Sequence, residues 1–177
     1  MIDPDGEYEG CGYLHDRPGD AYQATLFPSF RTRLRPHHDR SIAERQFDVI
    51  CRIVRWHADP QPGQTRPPRA GPLVFVVDEL ADYVGPSFRE SPDSWQWIIR
   101  RGRKYGVALL AASQRPAHID KTLFDLASTI RTGRLNNAPS QRVVAEALGV
   151  QAAEIAQLSG REWLMRDKNT GRLTRGK

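Results

Sequence analysis

Two adjacent carboxylates, Asp78 and Glu79, directly follow an uninterrupted apolar segment, Leu73–Val77. This segment, preceded by Gly71 and Pro72, predicts a strand that is buried on both faces of a parallel sheet. Open α/β sheets bind their ligands at the carboxyl ends of such strands. An Asp there can hold Mg²⁺, directly or through water, and an adjacent Glu can polarise an attacking water, as phosphoryl transfer requires. The alternative is a buried strand that ends in a solvated acidic turn.

A second apolar segment, Val107–Ala112, runs into a polar Ser-Gln-Arg-Pro sequence that contains Gln114. If the two predicted strands are parallel neighbours, Gln114 leaves the sheet at the same edge as Asp78 and Glu79. Its neutral amide could then hydrogen-bond a γ-phosphate or the attacking water without adding charge. The alternative is that Gln114 merely ends the strand and Pro116 stops it.

Several segments occur in an informative order along the chain: Ile2–Tyr8, Val76–Leu80, Arg100–Val107, Ala112–Pro116 and Asp120–Leu135. In this order they resemble the HerA/FtsK class of P-loop ATPases, which are ring-forming motors that pump DNA. The resemblance spans nearly the whole chain and is weakest from Gly10 to Arg69. It implies an α/β fold, a three-layer RecA-like P-loop NTPase core with a mostly parallel sheet, as a single domain over residues 1–177.

The resemblance also implies roles for individual residues in binding and hydrolysing ATP. Asp78 would be the Walker B acid that organises Mg²⁺, and Glu79 would activate the attacking water. Gln114 would sense the γ-phosphate. Asp3 and Glu7 would line the nucleotide site from the neighbouring strand.

A basic sequence, Arg100–Lys104, precedes the second predicted strand. The resemblance implies a ring, with six subunits around DNA, in which Arg100 or Arg103 reaches the γ-phosphate of a neighbouring subunit as an arginine finger. The alternative is that these cations only stabilise the carboxyl end of a helix through its dipole.

One motif of the class is missing from these residues. The phosphate-cradling sequence G-x-x-x-x-G-K-[ST] does not occur, and the one Gly-Lys pair, Gly176–Lys177, lacks the following hydroxyl residue. We therefore expect an N-terminally incomplete motor core, from a truncated, late-started or split protein; a degenerate relative that never binds ATP is the alternative. The strand that leads into the missing loop would lie inside the sheet. The isolated chain should therefore be less stable than an N-terminally extended form.

Composition favours a polyanionic partner and a reducing compartment. The chain has 26 Lys+Arg and 21 Asp+Glu, a net charge of +5, with a pI near 9.6. This balance suits DNA, although an Arg-rich composition is also common in proteins of GC-rich genomes. Cys11 and Cys51 have no disulfide-framework or zinc spacing, and His37 and His38 lack a third ligand nearby. No apolar run reaches the roughly 18 residues that span a membrane, so we expect a cytoplasmic protein.

Local patterns predict the elements between these motifs. They predict a short strand over 21–28, and a helix N-capped by Ser41 in a capping box with Glu44 and running to about His57. They also predict a flexible loop over 59–72 and a helix that begins at Ser91–Asp93 and continues to Lys104. The C-terminal part is expected to contain a helix over 119–126, a strand over 128–135, helices over 139–148 and 151–158, and a hairpin that turns at 168–171.

Three functions follow from these patterns. The leading hypothesis is the core of an ATP-driven DNA translocase or packaging-type motor. The second is a non-catalytic DNA-binding or assembly subunit with a degenerate nucleotide site. A metal-dependent nuclease built on Asp78 and Glu79 is the weakest, because no further carboxylate or Lys set completes it.

Overall fold

A computed structural model describes residues 1–4, 8, 10, 12–26, 31–60, 62–63 and 72–177. They form two compact units, the first from residues 1–84 and 89–113 and the second from residues 85–88 and 114–177. Most of the predicted loop over 59–72 lies outside the described residues. The single domain over residues 1–177 stays a prediction.

The first unit alternates strands and helices. Its elements are β1 (Tyr13–His15), α1 (Pro18–Ala24), β2 (Thr32–Leu34), α2 (Arg40–Ala58), β3 (Leu73–Val77), α3 (Asp93–Arg101) and β4 (Val107–Ala111). The 3-10 turns Leu80–Asp82 and Gly102–Tyr105 follow β3 and α3.

The amino terminus lies in the middle of the parallel sheet of the first unit. Ile2 forms parallel bridges to Leu34 of β2 and to Val77 of β3, and its N–H donates to the carbonyl of Val76 at 2.9 Å. β1 pairs with β2, and β3 pairs with β4 in a register that sets Val77 opposite Ala111. The order is therefore β1, β2, residues 1–3, β3, β4, which confirms the predicted parallel pairing of the two apolar segments.

The core of this unit lies on one face of the sheet. Alternation along β3 buries Phe75 toward the helices, where Phe47 of α2 lies with its ring centroid 6.5 Å from that of Phe75 and 5.2 Å from that of Trp95 in α3. α2 contributes further apolar residues at helical spacing, Ile50 and Val54. Fully burying one such side chain stabilises the fold by about 1.5–3 kcal/mol.

The opposite face of the sheet is open. Val74 of β3 is 60% exposed and Leu110 of β4 is 63% exposed. The prediction that the first apolar strand is buried on both faces is therefore wrong, because the described residues place helices against only one face. Among them, β4 pairs with β3 and with no other strand. The sheet thus has an apolar face and an apolar edge that lack partners within the described part of the chain.

The second unit is an antiparallel sheet packed on short helices. Its elements are α4 (Lys121–Leu126), β5 (Thr129–Thr132), α5 (Ala138–Leu148), α6 (Ala152–Ala156), β6 (Trp163–Asp167) and β7 (Arg172–Gly176). The strand order is β5, β6, β7. Ile130 and Leu164 of the sheet pack with Leu148 and Ile155 of the helices. The predicted C-terminal hairpin is confirmed.

Two predictions about the first helices are wrong. Residues 18–24 form α1 rather than a strand over 21–28, because Pro18 has its φ preset for the first turn of a helix; residues 27 and 28 lie outside the described ranges. The N-cap of α2 is Asp39, not Ser41, since the Asp39 carboxylate accepts from the N–H of Ser41 at 2.9 Å. Glu44 forms an ion pair with Arg40 at 2.8 Å instead of a capping box.

α3 ends earlier than predicted, at Arg101 rather than Lys104. The chain tightens into a 3-10 turn at Gly102, where a Cβ would lie 3.2 Å from that of Val107. Gly106, at φ 75°, then turns the backbone into β4.

Three further features bear on the sequence predictions. Cys51 carries a buried thiol, and burial raises the pKa of this thiol well above its ordinary value. The rings of His37 and His38 stack at 4.1 Å, and no group of three or more potential metal ligands occurs in the described ranges. None of the helices that the structure describes is both long and apolar enough to cross a bilayer.

Candidate functional site

Asp78 and Glu79 leave the carboxyl end of β3 at the centre of the sheet. The backbone N–H of Asp78 donates to the carbonyl of Ile2 at 3.3 Å, so the sheet pairing continues to this residue. Asp78 Oδ1 accepts from the N–H of Glu79 at 3.0 Å, and Oδ2 lies 3.4 Å from the hydroxyl of Tyr8. The Asp78 carboxylate is thereby fixed at the sheet edge while remaining half-buried.

Glu79 adopts a left-handed backbone conformation, with φ 43° and ψ 60°. It is the one non-glycine residue with positive φ in the described part of the chain. This conformation costs about 1–2 kcal/mol for a residue with a Cβ. The next residue anchors the turn, because the N–H of Leu80 donates to the carbonyl of Ala112 at 2.8 Å. Strain of this kind, held by the surrounding sheet, is typical of functional positions.

The ends of β3 and β4 meet through their side chains. The hydroxyl of Ser113 donates to Oε1 of Glu79 at 2.8 Å, and the N–H of Ala112 donates to the carbonyl of Val77 at 2.9 Å. The sequence predicted polar contacts at this edge but assigned them to Gln114. Gln114 is exposed and belongs to the second unit, so its predicted role stays a prediction.

Asp3 is fully buried in an ion pair that the sequence analysis missed. Its Oδ2 lies 3.0 Å from Nη1 of Arg33, which is itself buried, and the Nε of Arg33 donates to the carbonyl of Gly12 at 2.9 Å. A buried carboxylate requires a cationic or hydrogen-bonding partner. That requirement could have directed attention to the three arginines around Leu34, of which Arg33 is the buried one.

Tyr8 connects this ion pair to the sheet edge. Its backbone N–H lies 3.3 Å from Oδ2 of Asp3, and its hydroxyl donates to Oδ2 of Asp78. Tyr8, the last residue of the predicted acidic segment, therefore contacts both Asp3 and Asp78. Glu7, predicted to act from this turn, lies outside the described residues, and its role stays a prediction.

Arg100 and Arg103 lie near the amino ends of β3 and β4, away from the carboxyl ends that carry Asp78. Both are exposed and precede Val107, the residue of β4 that pairs with Leu73 at the start of β3. The length of a five-residue strand, about 13 Å, separates those amino ends from Asp78. The structure does not bring these arginines to Asp78 within one chain, so a catalytic role for either requires a neighbouring subunit.

Asp78 fits Mg²⁺, but the described residues provide no complete nucleotide site. Mg²⁺ is commonly held by one or two carboxylates together with waters and substrate phosphates, so a single fixed Asp at a strand end is sufficient from the protein. Glu79, held by Ser113, can accept a proton from water. None of the 177 residues supplies the glycine-rich loop and Lys that would bind the β- and γ-phosphates.

A central parallel strand that ends in paired acids, with helices packed against the sheet, is the arrangement of RecA-like P-loop NTPases, and the predicted fold class is confirmed. The genome packaging NTPase B204 from Sulfolobus turreted icosahedral virus 2, in complex with ATP-gammaS, matches with a TM-score of 0.72 at 16% identity, over 99% of this chain and 79% of that one. Its complex with AMPPCP gives 0.69 at 16% identity over 99% and 80% of the two chains.

Two further proteins resemble this chain, one with a lower TM-score and the other with a higher sequence identity. The bacterial conjugative coupling protein TrwBdeltaN70 matches with a TM-score of 0.55 at 17% identity, over 87% of this chain and 42% of that one. Protein P9 of Pseudoalteromonas phage PM2 is 42% identical over 117 residues, which are 65% of this chain and 48% of that protein. The chain spans about half the length of this curated relative. No protein-family model matches the chain.

Proposed function

We propose that this chain is the core of a HerA/FtsK-class ATPase that hydrolyses ATP to move DNA, as in translocation or genome packaging. The observation that carries the proposal is the convergence of Asp78, Glu79 and Ser113 at the carboxyl edge of two parallel central strands. Similarity in fold to a genome packaging NTPase and a conjugative coupling protein supports this choice of class.

Each residue at the carboxyl ends of these strands would have its own role in hydrolysis. Asp78 would hold Mg²⁺, which would neutralise charge on the phosphates when bound. Glu79 would take the proton of the attacking water on its carboxylate, and Ser113 would orient that carboxylate through Oε1. Gln114 would contact the γ-phosphate. Asp3 would act indirectly, because its carboxylate contacts both Arg33 and the backbone N–H of Tyr8, whose hydroxyl contacts Asp78.

The phosphate-binding loop would come from a further strand and helix that are not among these 177 residues. The apolar edge of β4 and the exposed side chains of Val74 and Leu110 support this, since parallel sheets are normally covered on both faces. A strand beside β4 and a helix over that face would bury these residues. The solved B204 chains are longer than the part this chain matches, which leaves room for such a segment.

Assembly into a ring, six subunits by the class resemblance, would complete the site. The position of Arg100 and Arg103 at the opposite edge of the sheet favours their action on a neighbouring subunit's nucleotide. A motor of this kind would work on DNA in the cytoplasm.

Calorimetric titration of Mg-ATP tests this function. The chain of 177 residues would be compared with a form that is extended in frame beyond Met1 to include a G-x-x-x-x-G-K-[ST] sequence. We expect binding in the extended form alone. Binding in neither form would contradict the ATPase proposal. Binding by the 177-residue chain alone would mean that the phosphates lie elsewhere.

A non-catalytic DNA-binding or assembly subunit is the second candidate. The absence of a phosphate-binding loop from these residues favours it. In that case the acids at the end of β3 would be structural, and Glu79→Gln would change no measurable activity in the extended form.

A further inference from the structure

The net positive charge of the chain is confined to the second unit. Residues 114–177 contain 11 Lys+Arg and 6 Asp+Glu, 11 − 6 = +5, and residues 85–88 carry no charge. The whole chain has 26 − 21 = +5, so the first unit is neutral. A smaller unit that carries all the excess charge has the electrostatic character of a polyanion-binding surface.

Most carboxylates of the second unit are used to fix local structure. They accept backbone N–H groups at helix starts and turns: Asp120 from Thr122 at 2.8 Å, Glu154 from Gln151 at 2.9 Å, Glu162 from Ser159 at 2.9 Å and Asp167 from Asn169 at 2.8 Å. Glu146 pairs with Lys121 at 3.0 Å. Glu162 also pairs with Arg175 of β7 at 3.2 Å, and Asp167 lies opposite Arg172 in the strand register. The acids therefore offset only part of the positive charge of the unit, which keeps an excess of five cations.

The strand register separates the two faces of this sheet. Ile130 and Leu164 point toward the helices and belong to the core. The opposite face, here called the outer face, consists of the alternate residues Thr129, Arg131, Trp163, Met165, Asp167, Arg172 and Thr174. Among the described residues, the helices of the second unit form a core only with the side chains of the opposite face.

An arginine and a tryptophan form the centre of the outer face. The Cζ of Arg131 lies 4.5 Å from the ring centroid of Trp163. The indole also lies against Gly176, where a Cβ would come within 2.4 Å of the ring, so only glycine fits beside it. Packing on the indole limits the motion of the guanidinium while Arg131 remains exposed, which reduces the entropy lost on binding a phosphate.

A second cation lies two strands away on the same face. Arg172 of β7 is exposed, and the register and strand spacing place its Cα about 12 Å from that of Arg131. Neither arginine forms an ion pair with a carboxylate in the part of the chain that the structure describes. The two can therefore contact separate phosphates of one backbone.

We propose that the outer face of the β5–β6–β7 sheet binds the phosphate backbone of DNA through Arg131 and Arg172, with Trp163 positioning Arg131. The choice of DNA among polyanions rests on the proposed function. The location of the surface is inferred from the charge distribution and from the positions of Arg131 and Arg172. Such contacts read no sequence, which suits a protein that must hold DNA of any composition.

Fluorescence anisotropy of a labelled duplex with the full chain tests the surface, without nucleotide and over a range of salt. We expect Arg131→Ala/Arg172→Ala to weaken binding at least tenfold and to lower the salt slope by about 2, one for each lost phosphate contact. The matched control is Arg45→Ala/Arg89→Ala, which removes two exposed arginines of the first unit and should bind like the wild type. Thermal unfolding by circular dichroism checks that each variant folds.

Three outcomes would overturn the proposal. The first is equal weakening by both double variants. The second is a wild-type chain that binds no duplex at low salt. The third is displacement of DNA by polyglutamate at equal charge concentration, which would mark a general acidic-partner surface. Because the assay contains no nucleotide, each of these results leaves the ATP-binding test of the proposed function to be decided separately.

Discussion

The hydroxyl of Ser113 donates to Oε1 of Glu79 at 2.8 Å, joining the ends of the two paired central strands. Glu79 is also held by its own left-handed backbone. The carboxylate therefore has its orientation set from both strands. This is the support expected for a general base, whose effectiveness depends first on geometry.

We expect Ser113→Ala to slow ATP hydrolysis by about tenfold in the nucleotide-binding form, while Glu79→Gln slows it by about 10²–10⁴-fold. Neither change should alter ATP affinity by more than a few-fold, because both act on the water and not on the phosphates. Steady-state turnover and calorimetric Kd values measure the two effects. Ser113→Thr, which keeps the hydroxyl, should restore most of the rate; a Ser113→Thr variant as slow as Ser113→Ala would exclude the orienting role.

The backbone of Glu79 predicts an inverted order of stability between two substitutions. Glycine is usually less stabilising than alanine, but at φ 43° a Cβ is strained. Both Glu79→Gly and Glu79→Ala lose the contact to Ser113, so their difference isolates the backbone. We expect Glu79→Gly to be more stable by about 1 kcal/mol in urea unfolding. Greater stability of the alanine variant would show that the turn relaxes.

The buried pair of Asp3 and Arg33 should be sensitive to loss of either partner. Asp3→Leu alone leaves the charge of Arg33 buried and uncompensated, and Arg33→Met alone leaves the Asp3 carboxylate without its partner; each should destabilise by about 3–5 kcal/mol. The double variant Asp3→Leu/Arg33→Met should lose much less than the sum. Urea unfolding of the four chains forms a double-mutant cycle. Additive losses would mean that the two side chains are energetically independent.

The open face of the sheet can be probed with one substitution at two positions of the same strand. Val74→Thr should change stability by less than about 0.5 kcal/mol, because this side chain is mostly exposed. Val77→Thr, at a residue that is 0% exposed, should cost about 1–3 kcal/mol by burying a hydroxyl. In an extended form that covers the face, Val74→Thr should become costly as well. An equal and small cost at Val74 in both forms would contradict the covering helix.

The pH dependence of stability should report on Asp120 in the second unit. Burial raises the pKa of its carboxyl, but hydrogen bonds from Thr122 and from the N–H of Phe88 outweigh burial and hold the pKa below its ordinary value of 3.8. A lowered pKa in the folded state stabilises the fold above 3.8, and this contribution is lost as the pH falls below that value. Asparagine keeps the helix cap without titrating.

We therefore expect the stability advantage of the wild type over Asp120→Asn to shrink as the pH falls below the ordinary pKa of 3.8. Urea unfolding at a series of pH values measures it. Parallel stability profiles for the two proteins would remove Asp120 from the acid sensitivity of the chain.

Sequence patterns identified the parts of this fold that are locally determined. The apolar segments of β3 and β4, the acids after β3 and the C-terminal hairpin follow from runs and alternation that lie within a few residues. The pair of Asp3 and Arg33 does not, because it joins residues 30 positions apart through a strand order that no local pattern specifies. The sequence favoured Gln114 over Ser113 because both residues follow the same strand, and the pattern does not tell which of two adjacent side chains points toward Glu79.

The place of residues 1–3 in the sheet has a consequence for folding order. These residues leave the ribosome before their neighbours, yet Ile2 is paired on both sides only when both Leu34 and Val77 are available. Without residues 1–3 in the sheet, the unit has only the separate pairs β1–β2 and β3–β4, and isolated two-stranded sheets are marginally stable in water. The first unit should therefore fold late, after synthesis has passed β4, with its central residues 1–3 made before the strands on either side and enclosed last.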